Sequence, residues 1–234
     1  MTNKQKQVML SGILGDGCLR DDGSMLFSCI HKEYMDFKFS ILGNSTNGVH
    51  WSKNPGYKKD GEIFKLRIST TPYGKELNSY SFQDIVNEMD ELGIALWLLD
   101  DGSRHKKNNF YNINTHAIPR DIEESVLIPF LNKYNIFPSI TSETKKDGRY
   151  FTYLYVSKWN GAMEISRMIR RLNIKCYDYK LMPIELEDAY FKFKDVAEFK
   201  EASAFGKTKF IKKYLGISYK EHIHTSVTSV EMCK

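Results

Sequence analysis

Two apolar stretches of the sequence each end in an acidic residue followed by glycine: Leu10-Ser-Gly-Ile-Leu-Gly-Asp-Gly17 and Gly93-Ile-Ala-Leu-Trp-Leu-Leu-Asp-Asp-Gly102. They predict helices over about 4–14 and 86–99, because glycine just past an apolar helical stretch is a common helix end. A third apolar stretch, over 159–172, also predicts a helix but lacks the acidic ending. The first two helices therefore each carry a carboxylate to their C-terminal end.

The sequence after each acid repeats one order of predicted elements. These elements are a strand pair (17–31 and 103–116), a helix (33–42 and 120–134) and a hairpin (48–70 and 137–157). The spacing also agrees, because Asp16 to His31 and Asp101 to His116 are both 15 residues apart. We therefore predict a mixed α+β fold of two duplicated units, 1–82 and 83–182, followed by a C-terminal extension, 183–234.

The composition excludes several classes of protein. The longest apolar run, residues 92–99, is far shorter than the roughly 20 residues of a membrane span. The four cysteines form no CxxC pair, and the N-terminal residues are polar, so neither a disulfide scaffold nor a secretory signal is predicted. We expect an intracellular, reducing location: a bacterial or phage-infected cytoplasm, or an organelle. The net charge of +5 is compatible with a nucleic-acid partner.

The residues of the two motif helices indicate how their acids could be used. Both helices contain small residues that let two backbones approach closely: Ser11, Gly12, Gly15, Gly93 and Ala95. Each acid would then lie at a helix C-terminus, where the helix dipole disfavours negative charge. Two adjacent carboxylates repel each other unless a cation is bound. A divalent cation such as Mg²⁺, held by both acids and by phosphate oxygens, would relieve this repulsion.

The two stretches resemble the motifs of the LAGLIDADG homing endonucleases, most closely those of single-chain members with two repeats. The resemblance covers about residues 7–182 and includes Asn114-Thr115, Tyr153 to Ser157 and Tyr179-Lys180-Leu181. It implies two pseudo-symmetric units whose antiparallel sheets form saddles on double-stranded DNA, with the motif helices packed at the central interface. It also implies a monomer that cuts both strands of a long, pseudo-symmetric target with Mg²⁺, which Mn²⁺ can replace.

The resemblance also implies which residues form the active site. Asp16 and Asp101 correspond to the final, metal-binding acids of the motifs. Asp100 and Gly15 lie one residue earlier and are weaker candidates for metal ligands. Members of the family place a lysine near each metal centre, and Lys180 matches the lysine of the second repeat. Lys75 is the candidate for the first repeat.

The predicted hairpins would supply the DNA-binding surface. A sheet with one face on the core leaves alternate residues pointing outward, where they can contact phosphates and base edges. The candidates are Lys53, Lys65, Arg67, Arg104, Asn112, Asn114, Lys145, Arg149 and Tyr153. Lys207 and Lys209 extend this set into the C-terminal extension, where residues 203–220 hold five lysines and no acid.

Several alternatives remain open at this point. The same fold could belong to an intron maturase or to a protein that binds DNA without cutting it, although the presence of both acids favours cleavage. A structural or regulatory module is a further alternative. The helical spacing of Phe210, Ile211, Tyr214 and Leu215 fits either a DNA-binding helix or one packed on the core. A zinc site at His222, His224 and Cys233 lacks a fourth ligand.

Overall fold

Residues 1–43, 46–53, 62–144, 148 and 150–216 are described by the structure, a computed structural model, which gives the backbone alone for 47–53. The first half begins with α1 (Asn3–Leu14), β1 (Gly17–Leu19), β2 (Met25–Cys29), α2 (Lys32–Leu42), β3 (Thr46–Lys53) and β4 (Glu62–Ile68). Two short helices follow, α3 (Pro72–Leu77) and α4 (Phe82–Glu88). The predicted helices, strand pair and hairpin of this half are therefore confirmed.

The second half repeats this order. It contains α5 (Glu91–Asp101), β5 (Gly102–His105), β6 (Phe110–Asn114), α6 (Arg120–Ile122), α7 (Ile128–Asn132), β7 (Ser139–Thr144), β8 (Tyr150–Val156) and α8 (Met163–Leu172). A π-helical turn over Glu123–Leu127 joins α6 to α7. A 3₁₀ helix over Lys175–Lys180 follows α8, and α9 (Ile184–Phe193), α10 (Ala197–Glu201) and α11 (Ala204–Tyr214) come last.

The eight strands of the described residues form two antiparallel sheets with the same topology. Their strand orders are β1-β2-β4-β3 and β5-β6-β8-β7, so each strand of one sheet has a counterpart in the other. In β4, Leu66 and Ile68 are buried while Lys65 and Arg67 are exposed, which is the alternation expected of a sheet with one covered face. The predicted α+β fold with duplicated sheets and central helices is confirmed.

The two motif helices, α1 and α5, pack against each other at the centre, and α5 also packs on α8. Gly93 allows this approach, because a Cβ atom there would lie 2.4 Å from Gln7 Oε1 of α1. Gly12 instead allows α1 to pack on its own sheet, because a Cβ atom there would lie 2.5 Å from the Phe27 ring of β2. The Gln7 side chain also joins the two halves, because it accepts from the Asp90 N–H and donates to the Glu88 carbonyl. The apolar core therefore runs continuously through both units.

Two predicted helices have more complex boundaries than the sequence indicated. The helix predicted over 86–99 is two helices, α4 and α5, because Asp90 Oδ1 accepts from the N–H groups of Leu92 and Gly93 and starts a new helix there. The helix predicted over 159–172 is kinked at Gly161, where φ is 123°. A side chain at Gly161 would also collide with the Ile136 backbone, 2.6 Å away.

The C-terminal extension packs on the second half through aromatic contacts. Trp159 Nε1 donates to the Ala204 carbonyl, and Phe210 packs edge-on against Phe193 and Phe199. Ile211 is fully buried. Helix α11 thus covers part of the core, which was one of the two interpretations left open by its apolar spacing. In the part of the chain that the structure describes, no helix has the length and apolarity to cross a membrane.

Candidate active site

The packing of α1 against α5 brings Asp16 and Asp101 together. Asp16 follows the C-cap of α1, and Asp101 is the last residue of α5. Asp101 is half-buried, whereas Asp16 is exposed. The charge of Asp16 acts directly on Asp101, so the two acids form one electrostatic site. This is the pairing of carboxylates that the repeat in the sequence predicted.

Both carboxyl groups have raised pKa values. Burial raises the pKa of Asp101 to about 7, and the negative charges of Asp16 and Asp100 add to this effect. Desolvation by the surrounding atoms raises the pKa of Asp16 as well, although this residue is exposed. The negative charge of Asp100 again adds to the effect. Lys38 and Lys180 act in the opposite direction on Asp16. The site therefore concentrates negative charge that a cation would neutralise.

Lys180 lies beside these acids, as the sequence predicted. Its side chain is buried, its Nζ donates to the Leu99 carbonyl at 2.6 Å, and the ammonium lies 4.9 Å from the centre of the Tyr177 ring. The Lys180 carbonyl accepts from the Tyr111 hydroxyl, which fixes the backbone here. Burial lowers the pKa of Lys180 to about 8, against the opposing effect of Asp100 and the two candidate metal ligands.

A second buried lysine, Lys38 of α2, was not anticipated from the sequence. Its Nζ donates to both carboxylate oxygens of Asp100, at 3.2 and 3.1 Å, and both side chains are only 2% exposed. The helical spacing of the apolar residues in α2 could have indicated that Lys38 is buried. Tyr34, Met35 and Leu42 form its buried stripe, and Lys38 occupies the same helical face.

The weaker site candidates are placed differently from Asp16 and Asp101. Asp100 is engaged by Lys38 on both oxygens, so its carboxylate is occupied by an ion pair. Gly15 packs against it, since a Cβ atom on Gly15 would lie 2.8 Å from the Asp100 Cβ. Lys75 lies on α3 beside the Gly23 turn, at the far end of β1 and β2 from Asp16. The structure therefore brings Lys38, and not Lys75, to the acids from the first half.

Ten of the eleven predicted DNA-binding residues fall into three groups. The first group lies on the outer faces of the two sheets, where the adjacent residues of the same strand point into the core. It contains Lys65, Arg67, Asn112, Asn114 and Tyr153. Lys209 is exposed on α11, where Lys207 is half-buried with its ammonium over the Phe199 ring. Lys145, Arg149 and the side chain of Lys53 lie outside the described residues, as do the three candidate zinc ligands.

Arg104 requires a correction. It pairs with the buried Tyr111 across β5 and β6, which places it on the inner face of the sheet. Its guanidinium donates to the Leu181 carbonyl and to Asn109 Oδ1. Burial also lowers its pKa. Arg104 thus anchors the segment that follows Lys180 and does not extend the outer surface.

The donor set of the site fits a hard divalent cation. Mg²⁺ is commonly held by one or two carboxylates that leave its remaining positions to water and phosphate oxygens. Asp16 and Asp101 supply two carboxylates, and no described group of three or more His, Cys, Asp or Glu side chains offers a closed protein cage. A site of this composition would be completed by a phosphate-bearing ligand.

The raised pKa of Asp101 predicts how stability depends on pH. Between the ordinary value of 3.8 and about 7, the folded state retains a proton that the unfolded state has released. Stability should therefore fall as the pH rises through this interval. We expect the melting temperature of the metal-free protein to fall between pH 5 and pH 8 by about 5 °C more than that of Asp101→Asn. Thermal unfolding followed by circular dichroism measures this difference.

Asp188→Asn is the matched control for this measurement, because Asp188 is an exposed carboxylate on α9. It should follow the wild-type profile. Equal pH dependence of Asp101→Asn and the wild type would contradict a buried, charge-coupled Asp101.

Comparisons with known proteins agree with this fold. The structure is similar to that of the homing endonuclease I-WcaI bound to its DNA recognition sequence, with a TM-score of 0.56 and 18% identity over 78% of this chain and 84% of that chain. Weaker similarities are to I-DmoI in complex with DNA and Mn (TM-score 0.43, 11% identity, 72% and 97% covered) and to the N-terminal LAGLIDADG domain of DUF199/WhiA (0.47, 15%, 73% and 86%). The comparison with curated proteins gives no match. Residues 6–162 match the LAGLIDADG DNA endonuclease family, to which this chain therefore belongs.

Proposed function

We propose that the protein is a site-specific endonuclease that cuts both strands of DNA by metal-dependent hydrolysis of phosphodiester bonds. One observation carries this proposal: the central helices bring Asp16 and Asp101 together in a single charge-coupled site beside the buried ammonium of Lys180. The site lies where β1 and β5 begin, so both sheets extend directly from it. The similarity to I-WcaI, a homing endonuclease bound to its DNA recognition sequence, supports DNA as the substrate.

The residues of the site would divide the chemistry between them. Asp16 and Asp101 would hold Mg²⁺ or Mn²⁺. When bound, the metal would lower the pKa of a water molecule and offset negative charge on the phosphate. Lys180 would place a positive charge near the scissile phosphate, where the transition state gains negative charge. Its contact with the Leu99 carbonyl keeps the ammonium fixed at the end of α5.

The sheets would hold the DNA on either side of this centre. Lys65 and Arg67 give the outer face of the first sheet a positive charge that suits phosphates and guanine edges. Asn112, Asn114 and Tyr153 give the second sheet neutral hydrogen-bonding groups. Because one chain supplies both sheets, we propose that a monomer spans the whole target. The two faces differ, so the target would be only approximately symmetric.

The proposal is tested by a cleavage selection from a randomised double-stranded DNA library. With Mg²⁺ or Mn²⁺, the cut molecules should share one long, approximately symmetric sequence. With Ca²⁺, the same sequence should be bound and cut little, because Ca²⁺ takes more ligands at about 2.3–2.6 Å instead of about 2.0–2.1 Å. In excess EDTA, cleavage should stop.

The control for this selection is the same protein carrying both Asp16→Asn and Asp101→Asn, which should enrich no cut sequence. Full cleavage in excess EDTA would refute the metal-dependent mechanism. Specific binding without cleavage in Mg²⁺ and in Mn²⁺ would instead favour a maturase or another non-cleaving, DNA-binding protein of the same fold.

A further inference from the structure

The C-terminal end of α5 is held by side chains from two other segments. The Tyr34 hydroxyl, from α2, donates to the Leu96 carbonyl at 3.1 Å, and Lys180 donates to the Leu99 carbonyl. Lys38, also from α2, forms the ion pair with Asp100. The last carbonyls of a helix lack partners within the helix, and positive charges near them are favourable. The two α2 side chains fix the end of α5 against the first half of the chain, and Lys180 fixes it against the 3₁₀ helix that follows α8.

A buried ion pair fixes the end of α5 only at a large cost in desolvation free energy. Burying two charges costs several kcal/mol per ion in general, and apolar side chains of similar size often give equal or greater stability. The Lys38 ammonium lies 4.4 Å from the centre of the Phe27 ring and 4.3 Å from that of the Tyr34 ring, and Asp100 is its ionic partner among the described residues. Stability alone therefore does not account for a lysine in the buried stripe of α2.

The position of the pair suggests a different role. Asp100 is adjacent in sequence to Asp101, and its carboxylate packs against Gly15, which is adjacent to Asp16. A Cβ atom on Gly15 would approach Asp100 Oδ2 to 3.0 Å, so the two motif ends meet at the ion pair itself. A change in the pair would displace the backbone that carries both acids.

The residue that corresponds to Lys38 in the second half is not a lysine. Lys38 lies 22 residues after Asp16, and the residue 22 positions after Asp101 is Glu123. Glu123 is fully buried, and its Oε1 accepts from the hydroxyls of Thr115 and Thr152. The position that corresponds to Lys38 in the second half is therefore occupied by a buried acid bound to two hydroxyls, and the ion pair is not repeated there.

We propose that Lys38, acting through Asp100, is a positioning residue that sets the placement of Asp101 against Asp16. This inference rests on the proposed nuclease function for its consequence in catalysis, but its structural part can be measured without DNA. Misplacement of a catalytic group by about 1 Å can cost about 100-fold in rate. Loss of the pair should therefore impair metal binding and cleavage even when the fold is retained.

The test compares a double variant, Lys38→Met with Asp100→Leu, with the wild type. Removing both charges avoids the unpaired buried carboxylate that Lys38→Met alone would leave. We expect a melting temperature within about 5 °C of the wild type, cleavage of the selected target slowed about 100-fold and DNA binding nearly unchanged. Without DNA, we expect the affinity for Tb³⁺ to fall about tenfold, because the two acids would no longer be held in the arrangement that binds the cation. The Tb³⁺ signal is luminescence excited through Trp97, and Asp101→Asn should abolish it.

The matched control is Lys194→Met with Glu164→Leu, which removes a lysine–glutamate pair between α8 and the residue after α9. It should keep the wild-type cleavage rate and Tb³⁺ affinity. If the Lys38 and Asp100 double variant also keeps both, the pair is merely structural and the proposal is overturned. If the wild type cuts no DNA, the proposed function fails, and a lower Tb³⁺ affinity of the double variant still supports the positioning role.

If the double variant does not fold, Lys38→Arg tests the positioning role instead. It keeps the cation but alters its reach and geometry at Asp100. A slower cleavage rate or weaker Tb³⁺ binding at an unchanged melting temperature supports the proposal. Wild-type values of both quantities, with only the melting temperature changed, overturn it.

Discussion

Asp16→Asn and Asp101→Asn should each reduce double-strand cleavage by about 1,000-fold or more, while the affinity for the target changes by less than about tenfold. An amide keeps the shape of the side chain but removes the charge that would hold the metal, and loss of about 4 kcal/mol of transition-state stabilisation corresponds to this factor. DNA binding should persist because the outer faces of both sheets are unaltered. Cleavage rates and filter-binding affinities on the selected target measure both quantities.

Asp36→Asn is a suitable control, since Asp36 is an acid on α2 whose side chain is 46% exposed and pairs only with Lys32 among the described residues. It should cut at the wild-type rate. A variant of Asp16 or Asp101 that still cuts both strands at that rate would remove the residue from the active site. Nicking of one strand by either variant would show that the two acids serve the two strands separately.

Lys180→Met should slow cleavage by about 100-fold and weaken DNA binding by much less. The buried ammonium is held at the end of α5, and removal of one group that stabilises developing negative charge typically costs about 10²–10³ in rate. The pKa of about 8 adds a second expectation, because the protonated form predominates only below that pH. The wild-type rate should therefore lose its Lys180 contribution as the pH rises from 7 to 9, whereas Lys180→Met should lack this decrease.

Lys175→Met controls for a general loss of positive charge, because Lys175 is exposed on the same 3₁₀ helix. Its cleavage rate should match the wild type at both pH values. A Lys180→Met variant in which only the dissociation constant changes would make Lys180 a phosphate anchor and exclude a role in the chemical step.

The sequence predicted the fold well because the signals for it are local and occur twice. An apolar helix that ends in acid and glycine, followed by a strand pair, a helix and a hairpin, needs no knowledge of distant contacts. The pairing of Asp16 with Asp101 follows from that repeat, since two equivalent helices with small residues can pack together. The alternation of Lys65 and Arg67 with buried neighbours was likewise visible in the sequence of β4.

The features that sequence reasoning missed depend on contacts between distant segments. Lys38 meets Asp100 across 62 residues, and α2 alone does not show which acid faces it. Arg104 was assigned to the DNA surface on its charge, although its register opposite Tyr111 turns it inward. Lys75 is the candidate that the family resemblance suggests for the first repeat, but no motif around it matches. Its backbone closely contacts Gly23, which places α3 at the turn between β1 and β2 and away from Asp16.

The wide separation of the active-site residues along the chain has a consequence during synthesis. Asp16, Asp101 and Lys180 emerge from the ribosome in that order, and Lys180 lies 164 residues after Asp16. The end of α5 is not anchored by the Lys180 ammonium until translation has passed that residue. A nascent or prematurely terminated chain that stops before Lys180 would thus carry the acids without this cation.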